Sequence, residues 1–161
     1  METRIDATYD AKEISRLAND IWHEYYPNII GLDHVEYILA NYQSVKAIKK
    51  ELEEGYCYYF VKQKNKNIGY FSFIERENDI HISKLYLVKD KRNEGIGGFI
   101  IDTIIAYAKD LSYKAVSLNV NRHNINSVAF YKKNGFTIKE EINYPIGLNL
   151  EFNDYIMERE V

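Results

Sequence analysis

The chain has 161 residues, 46% of them hydrophobic and 28% charged, and a net charge of −3. A chain of this size buries roughly 70% of its unfolded surface, so disorder is excluded as its main state, and residues 1–161 are expected to form a single domain. No apolar run approaches the roughly 18 residues a spanning helix needs, and the slight acidity gives no electrostatic reason to seek nucleic acid.

Along the chain, residues 2–6 alternate loosely and predict a short strand. Ile14, Leu17, Ala18, Ile21, Trp22 and Tyr25 then follow helical spacing, one apolar face deep. Pro27 and Gly31 interrupt this helix. Asp33 with Glu36 reads as a capping box opening a second helix, and Ser44 as the cap of a third with Val45, Ile48 and Leu52. After Gly55, residues 56–61 are aromatic and β-prone. The polar stretch Lys64-Asn65-Lys66-Asn67 then turns the chain into a return strand, 68–74. The strand 80–88 follows, with apolar residues at 80 and 82 and then at 85 and 87. That change of phase near Ser83-Lys84 predicts a bulge or local twist. Next comes a glycine-rich stretch and a long, nearly all-apolar helix carrying Ile96, Ile100, Ile104 and Ala108. A strand at 116–120 and a short helix at 126–133 follow, the helix closed by Asn134-Gly135. Two final strands, 136–140 and 152–158, are expected to be joined by a loop around Pro145 and Gly147. Antiparallel hairpins first and a strand-helix-strand crossover later make an α+β domain with a mixed sheet.

Chemistry concentrates in two segments. Arg92-Asn93-Glu94-Gly95-Ile96-Gly97-Gly98 follows a strand and opens a helix. Such an N-terminus presents unpaired N–H groups and partial positive charge, and glycines let anionic oxygens approach. The Walker loop is excluded because Phe99 stands where Lys-Ser/Thr would follow the glycine pair. The dinucleotide fingerprint lacks its third glycine. The second segment, Asn126-Ser127-Val128-Ala129-Phe130-Tyr131-Lys132-Lys133-Asn134-Gly135-Phe136, follows the next strand.

Together the two segments resemble the GNAT superfamily of acetyl-CoA dependent N-acyltransferases. Arg92, Gly95 and Gly97 match its Gln/Arg-x-x-Gly-x-Gly/Ala signature; Asn126, Ala129, Phe130, Tyr131, Gly135 and Phe136 match its second motif. Lys89 and Asn93 depart from the proline and glycine common in the family. The resemblance implies a mixed, mostly antiparallel twisted sheet of about six to seven strands flanked by about four helices, with splayed central strands. It implies an acyltransferase that moves an acetyl group from acetyl-CoA to a primary amine by direct attack. The pyrophosphate would lie against Arg92, Asn93, Glu94, Gly95, Ile96, Gly97 and Gly98. The pantetheine arm would pair with Leu87, Val88 and Lys89 and bond to Asn126, the Leu87 N–H would stabilise the oxyanion, and Tyr131 would protonate the departing thiolate.

The base that frees the amine has four candidates: Glu75, Glu24 with His23, and His81. Trp22, Tyr25, Tyr26 and Tyr144, with Glu24 and Glu75, are candidate walls of the acceptor site. Acidic groups there would favour a cationic amine such as a polyamine, with peptide α-amines, lysine side chains and aminoglycosides left open. The rival classes are a non-catalytic acyl-CoA sensor and a nucleotide-binding domain of other chemistry.

One cysteine, Cys57, and four scattered histidines supply neither disulfide nor metal-ligand spacing, so no metal is expected. With no secretory h-region at the N-terminus, a cytoplasmic protein without membrane partner is expected. The family often forms homodimers, which leaves a second copy as a possible partner. Most of the 15 tyrosines are expected to pack on strands.

Overall fold

The computed structural model describes residues 2–161 and divides into two compact units, one running to Glu75 and including Ser83–Gly97, the other formed by Arg76–Ile82 and Gly98–Val161. The first holds β1 (Arg4–Thr8), α1 (Ala11–Tyr25), α2 (Pro27–Ile30), α3 (Leu32–Tyr42), α4 (Val45–Glu53), β2 (Cys57–Gln63) and β3 (Lys66–Glu75). Strand β4 (Asp79–Leu87) contributes its start to the second unit and its end to the first. Helix α5 (Ile96–Asp110) starts in the first unit and from Gly98 belongs to the second, which continues with β5 (Ala115–Asn121), α6 (Ile125–Lys133), β6 (Thr137–Gly147) and β7 (Leu150–Glu160). The strands follow the order β1-β2-β3-β4-β5-β7-β6 in a seven-stranded mixed sheet, with β4 and β5 parallel. Among the described residues there are six α-helices rather than the four expected. None is long and apolar enough to cross a membrane.

The helices form where periodicity and caps agree. Asp10 caps α1 by accepting from the Glu13 N–H at 3.2 Å, and α1 buries Ile14, Leu17, Ala18, Ile21 and Trp22. Ser44 caps α4, as expected, through the Ala47 N–H. The capping box at Asp33 does not form. Instead α3 begins at Leu32 behind Gly31, whose φ of 88° leaves no side chain to cap with. Pro27 opens a helix of its own, α2, as its fixed φ favours at a first helical position.

Two strand expectations need correction. In β4 the alternation is unbroken through Ile80, Ile82 and Lys84, all buried. The apparent change of phase arises because a lysine occupies an inward position. Its Nζ donates to Glu51 Oε1 (2.9 Å), the Tyr58 hydroxyl (2.6 Å) and the Tyr42 carbonyl at the end of α3 (2.9 Å). Burial lowers the Lys84 pKa and raises that of Tyr58. At the C-terminus, the expected loop around Pro145 and Gly147 is strand. β6 runs to Gly147 and β7 starts at Leu150, joined by Leu148 and Asn149 at φ of 51° and 58°, the left-handed pair of a tight hairpin. Lys64 and Asn65 make the same turn between β2 and β3, so β3 already starts at Lys66.

Candidate active site

In the first unit, the end of β4 sets the direction of every backbone group near it. The Val88 N–H donates to the Ile68 carbonyl of β3 at 2.9 Å. Successive residues of a strand point to opposite edges, so the N–H of Leu87, and that of Leu85, face the edge that β3 does not use. Gly69 of β3 makes the close packing here possible, since a Cβ on it would stand 2.3 Å from the Tyr86 carbonyl oxygen. A single 3-10 turn, Lys89–Lys91, follows, then Arg92 in extended conformation, Asn93 at φ 62° and Gly95 at φ 82°. Asn93, Glu94 and Gly95 are exposed, and α5 begins at Ile96, so Gly97 and Gly98 sit in its first turn. There the first N–H groups of the helix have no intrahelical acceptor and no Cβ at either glycine covers them.

Arg92 is more tightly held than a surface cation at an anion site. Its Nε donates to the Leu87 carbonyl at 3.1 Å, its guanidinium pairs with Glu24 at 2.7 Å, and it lies 4.7 Å from the centre of the Tyr25 ring. The end of α1 is thereby tied to the end of β4. The aromatic candidates Trp22, Tyr25 and Tyr26 do come together. Trp22 stacks on Tyr26 with centroids 4.0 Å apart, Tyr25 meets Tyr26 edge-on at 4.9 Å, and Tyr86 of β4 packs against Trp22 at 5.5 Å. The candidate bases of this unit are engaged or peripheral. Glu24 pairs with Arg92, His23 pairs with Glu36, which raises its pKa, and Glu75 stands exposed at the end of β3.

In the second unit, β4 and β5 pair from Asp79↔Ala115 to Ile82↔Leu118. That ladder carries a polar network the sequence reading missed. Arg76 donates to both carboxylate oxygens of Asp79 at 2.8 Å and to the Ser117 hydroxyl at 3.0 Å. Ser117 donates its proton to Asp79 Oδ2 at 2.7 Å, and His81 Nδ1 lies 2.8 Å from the same hydroxyl oxygen. Arg76 holds the Asp79 carboxyl below its usual range. Burial first, and then the Arg76 charge, push His81 down to about 4. The signal open to sequence reasoning was a serine inside the apolar strand Val116-Ser117-Leu118.

Helix α6 of this unit begins at Ile125, capped by Asn124, whose Oδ1 accepts from the Ser127 N–H at 3.3 Å. Asn126 lies exposed in the first turn of the helix and is not its cap. Tyr131 is buried two turns on, its ring edge-on to Phe130 (5.1 Å) and Phe136 (5.7 Å). Burial raises its pKa, so the phenol carries its proton across the whole physiological range. Tyr144 lies on β6, edge-on to Phe152 of β7 at 5.2 Å, in a hairpin rather than a loop.

The model of the acetyltransferase (GNAT) family matches residues 14–136. The chain belongs to the GNAT acetyltransferase family. The GNAT match runs through both units and includes both motifs. An uncharacterized N-acetyltransferase of Mycobacterium tuberculosis is 27% identical over 154 residues, 94% of this chain and 98% of that one. Among solved GNAT folds, the PaiA N-acetyltransferase of Thermoplasma acidophilum, in complex with coenzyme A, superposes with a TM-score of 0.84 at 20% identity over the whole of both chains. A GNAT family acetyltransferase of Elizabethkingia anophelis with acetyl-CoA bound gives 0.65 at 19% identity, covering 99% of this chain and 98% of that one.

Proposed function

We propose that the protein is one N-acetyltransferase domain over residues 1–161 that moves the acetyl group of acetyl-CoA directly onto a primary amine of a small molecule or peptide. The observation that carries this reading is the run of backbone from Leu85 to Gly98. Its strand edge turns N–H groups away from β3, and it ends in an exposed, glycine-lined helix start. A pantetheine amide matches the first and a pyrophosphate the second. The residues present fit the group. Leu87, Val88 and Lys89 hold the arm, Arg92, Asn93, Glu94, Gly95, Ile96, Gly97 and Gly98 the pyrophosphate, and Asn126, exposed on α6, a further polar atom of the arm. When bound, acetyl-CoA supplies a thioester carbonyl and a thiol leaving group.

The Leu87 N–H stabilises the oxyanion that forms when the amine adds to the carbonyl. The contact between the Arg92 Nε and the Leu87 carbonyl fixes the peptide that follows this N–H, which makes Arg92 a brace for the strand end as well as a charge. Tyr131 then delivers its proton to the departing thiolate, and the surplus proton of the new amide nitrogen passes to solvent, from which the phenolate is reprotonated. Its raised pKa keeps the donor loaded, and transfer to a thiolate forming a thiol of pKa about 8.5 occurs only as negative charge develops on sulfur. Calorimetric titration with acetyl-CoA, followed by thiol release with a panel of amines, tests the assignment. Binding and turnover with retained binding but lost turnover in Tyr131→Phe are expected. Full turnover by Tyr131→Phe would remove the general acid from the mechanism.

A further inference from the structure

The aromatic cluster at the end of α1 is built against the residue that precedes the proposed oxyanion donor, and every group in it belongs to the first unit. Trp22 is buried and covers one face of Tyr26, with ring centroids 4.0 Å and planes 22° apart. Tyr25 and Tyr86 stand nearly perpendicular to Tyr26, at 4.9 and 6.3 Å with interplanar angles of 89° and 86°. A stacked base with two upright rings makes an angled frame, and its three tyrosines are half-exposed. The frame is held from behind: Tyr70, fully buried, packs on Tyr86 at 5.4 Å and donates its hydroxyl proton to the buried Gln43. Arg92 lies over Tyr25 while its Nε holds the Leu87 carbonyl. Leu87 follows Tyr86 by one peptide, a Cα–Cα step of about 3.8 Å. The charged side chains at this end of α1 are paired with each other, Glu24 with Arg92 and His23 with Glu36.

We propose, on the basis of the acetyltransferase reading above, that this frame selects an acceptor whose primary amine is carried on a flat aromatic ring by a short alkyl arm. That β-arylethylamine unit is common to free aromatic amines and to peptides with an aromatic first residue. The ring lodges against Tyr26 and Tyr86, which stand at right angles and so offer one stacked and one edge-on contact, the two arrangements that aromatic quadrupoles favour. The arm then carries the amine past Tyr86 toward the carbonyl held at the Leu87 N–H. A saturated ring of equal size fills the same space without matching the quadrupoles. A polyamine gains less still, because Glu24 and Glu36 are already paired and the cation–π position over Tyr25 is occupied by Arg92. This turns the acceptor expectation away from polycations and gives Tyr86, absent from the sequence reading of the site, a part in specificity.

Steady-state thiol release with saturating acetyl-CoA compares phenylethylamine with cyclohexylethylamine, phenylalanyl-alanine amide with alanyl-alanine amide, and all four with spermidine. Within each pair kcat/KM is expected to favour the aromatic acceptor by about tenfold, with spermidine below both, and the stronger aromatic acceptor tells a free amine from a peptide N-terminus. The gain should sit in KM, since stacking acts on the bound amine before and during transfer alike. Tyr26→Leu and Tyr86→Leu should bring the ratio toward unity with acetyl-CoA affinity unchanged, while Tyr26→Phe and Tyr86→Phe preserve it; thermal melts identify a variant that fails to fold. Trp22 is the chain's single tryptophan and touches both Tyr26 and Tyr86, so its fluorescence reads binding without turnover. A saturable change with phenylethylamine in the presence of coenzyme A, and none with spermidine at the same concentration, is expected. Equal kcat/KM for phenylethylamine and cyclohexylethylamine, a preference for spermidine, or an aromatic preference that survives both leucine variants overturns the inference. Absence of acetyl-CoA binding would instead overturn the acetyltransferase reading, and the Trp22 titration without coenzyme A would still decide whether the frame takes an aromatic amine.

Discussion

Gly69→Ala probes the backbone on which the proposed oxyanion donor depends. The added Cβ would stand 2.3 Å from the Tyr86 carbonyl oxygen and 2.7 Å from Leu87 Cδ2, whereas ordinary contact begins at 3.4 Å. The strand must therefore move by 1.1 Å, the difference between 3.4 and 2.3 Å, and the nearest atom is backbone, which cannot rotate away. Overpacking of this kind costs about 1–3 kcal/mol, and a chain of this length loses roughly 2–4 °C of Tm per kcal/mol. A displacement of about 1 Å at a reacting group costs on the order of 100-fold in rate. The variant is thus expected to melt several degrees lower and, below its Tm, to show a fall in kcat far out of proportion to any change in acetyl-CoA binding at Gly95–Gly98. Measured by scanning calorimetry and by steady-state thiol release, a variant with wild-type Tm and wild-type kcat would refute the close approach of β3 to Tyr86 and Leu87. A lower Tm with unchanged kcat would keep the packing and detach the Leu87 N–H from catalysis.

Other perturbations have equally definite outcomes. Glu51→Ala leaves the Lys84 ammonium buried without its carboxylate and should cost about 3–5 kcal/mol in urea unfolding, while the double variant Lys84→Met with Glu51→Leu should recover much of that loss; equal stability of Glu51→Ala and wild type would contradict the pairing. His81 gives stability a pH slope. Its folded pKa of about 4 lies below the unfolded 6.5, so between these values the unfolded chain binds the extra proton and stability falls as pH drops. The full difference is about 3 kcal/mol, and thermal melts from pH 7 to pH 4.5 should show it in wild type and a flatter course in His81→Gln. The exposed His23–Glu36 pair works in the opposite direction, because His23 is raised and its contribution is lost as pH rises through that value, but solvent screens it. Tyr131→Phe should leave Tm within about a degree, since the phenol makes ring contacts rather than carrying the fold.

Elements with a strong local signal were legible in the sequence. Ser44 before an apolar run caps α4, the apolar face of α1 is buried where spacing put it, and Gly135 closes α6 at φ 90°. Local signals misled where tertiary structure overrode them. A buried lysine made β4 look out of phase, because an inward charge is acceptable only with partners such as Glu51, Tyr58 and the α3 carboxyl end, which lie far away in sequence. Pro145 and Gly147 resemble a loop, yet a proline at an edge strand needs no ladder donor, and the turn falls on Leu148-Asn149. The order of the two motifs could be read along the chain. The pairing of Glu24 with Arg92, and of Ser117 with Asp79 across 38 residues, could not, because side-chain partners across elements leave no periodic trace.

Strand β6 ends the sheet, with nearly all of its eleven residues exposed. An outer strand of that length is a template on which other chains can add themselves. Here Lys139, Glu140 and Glu141 charge its middle, two register shifts bend its pairing with β7, and Pro145 removes a donor near its tip. These features guard the border against such growth, and Glu140 and Glu141 replaced by valine would be expected to turn it into the first site of fibrillar assembly.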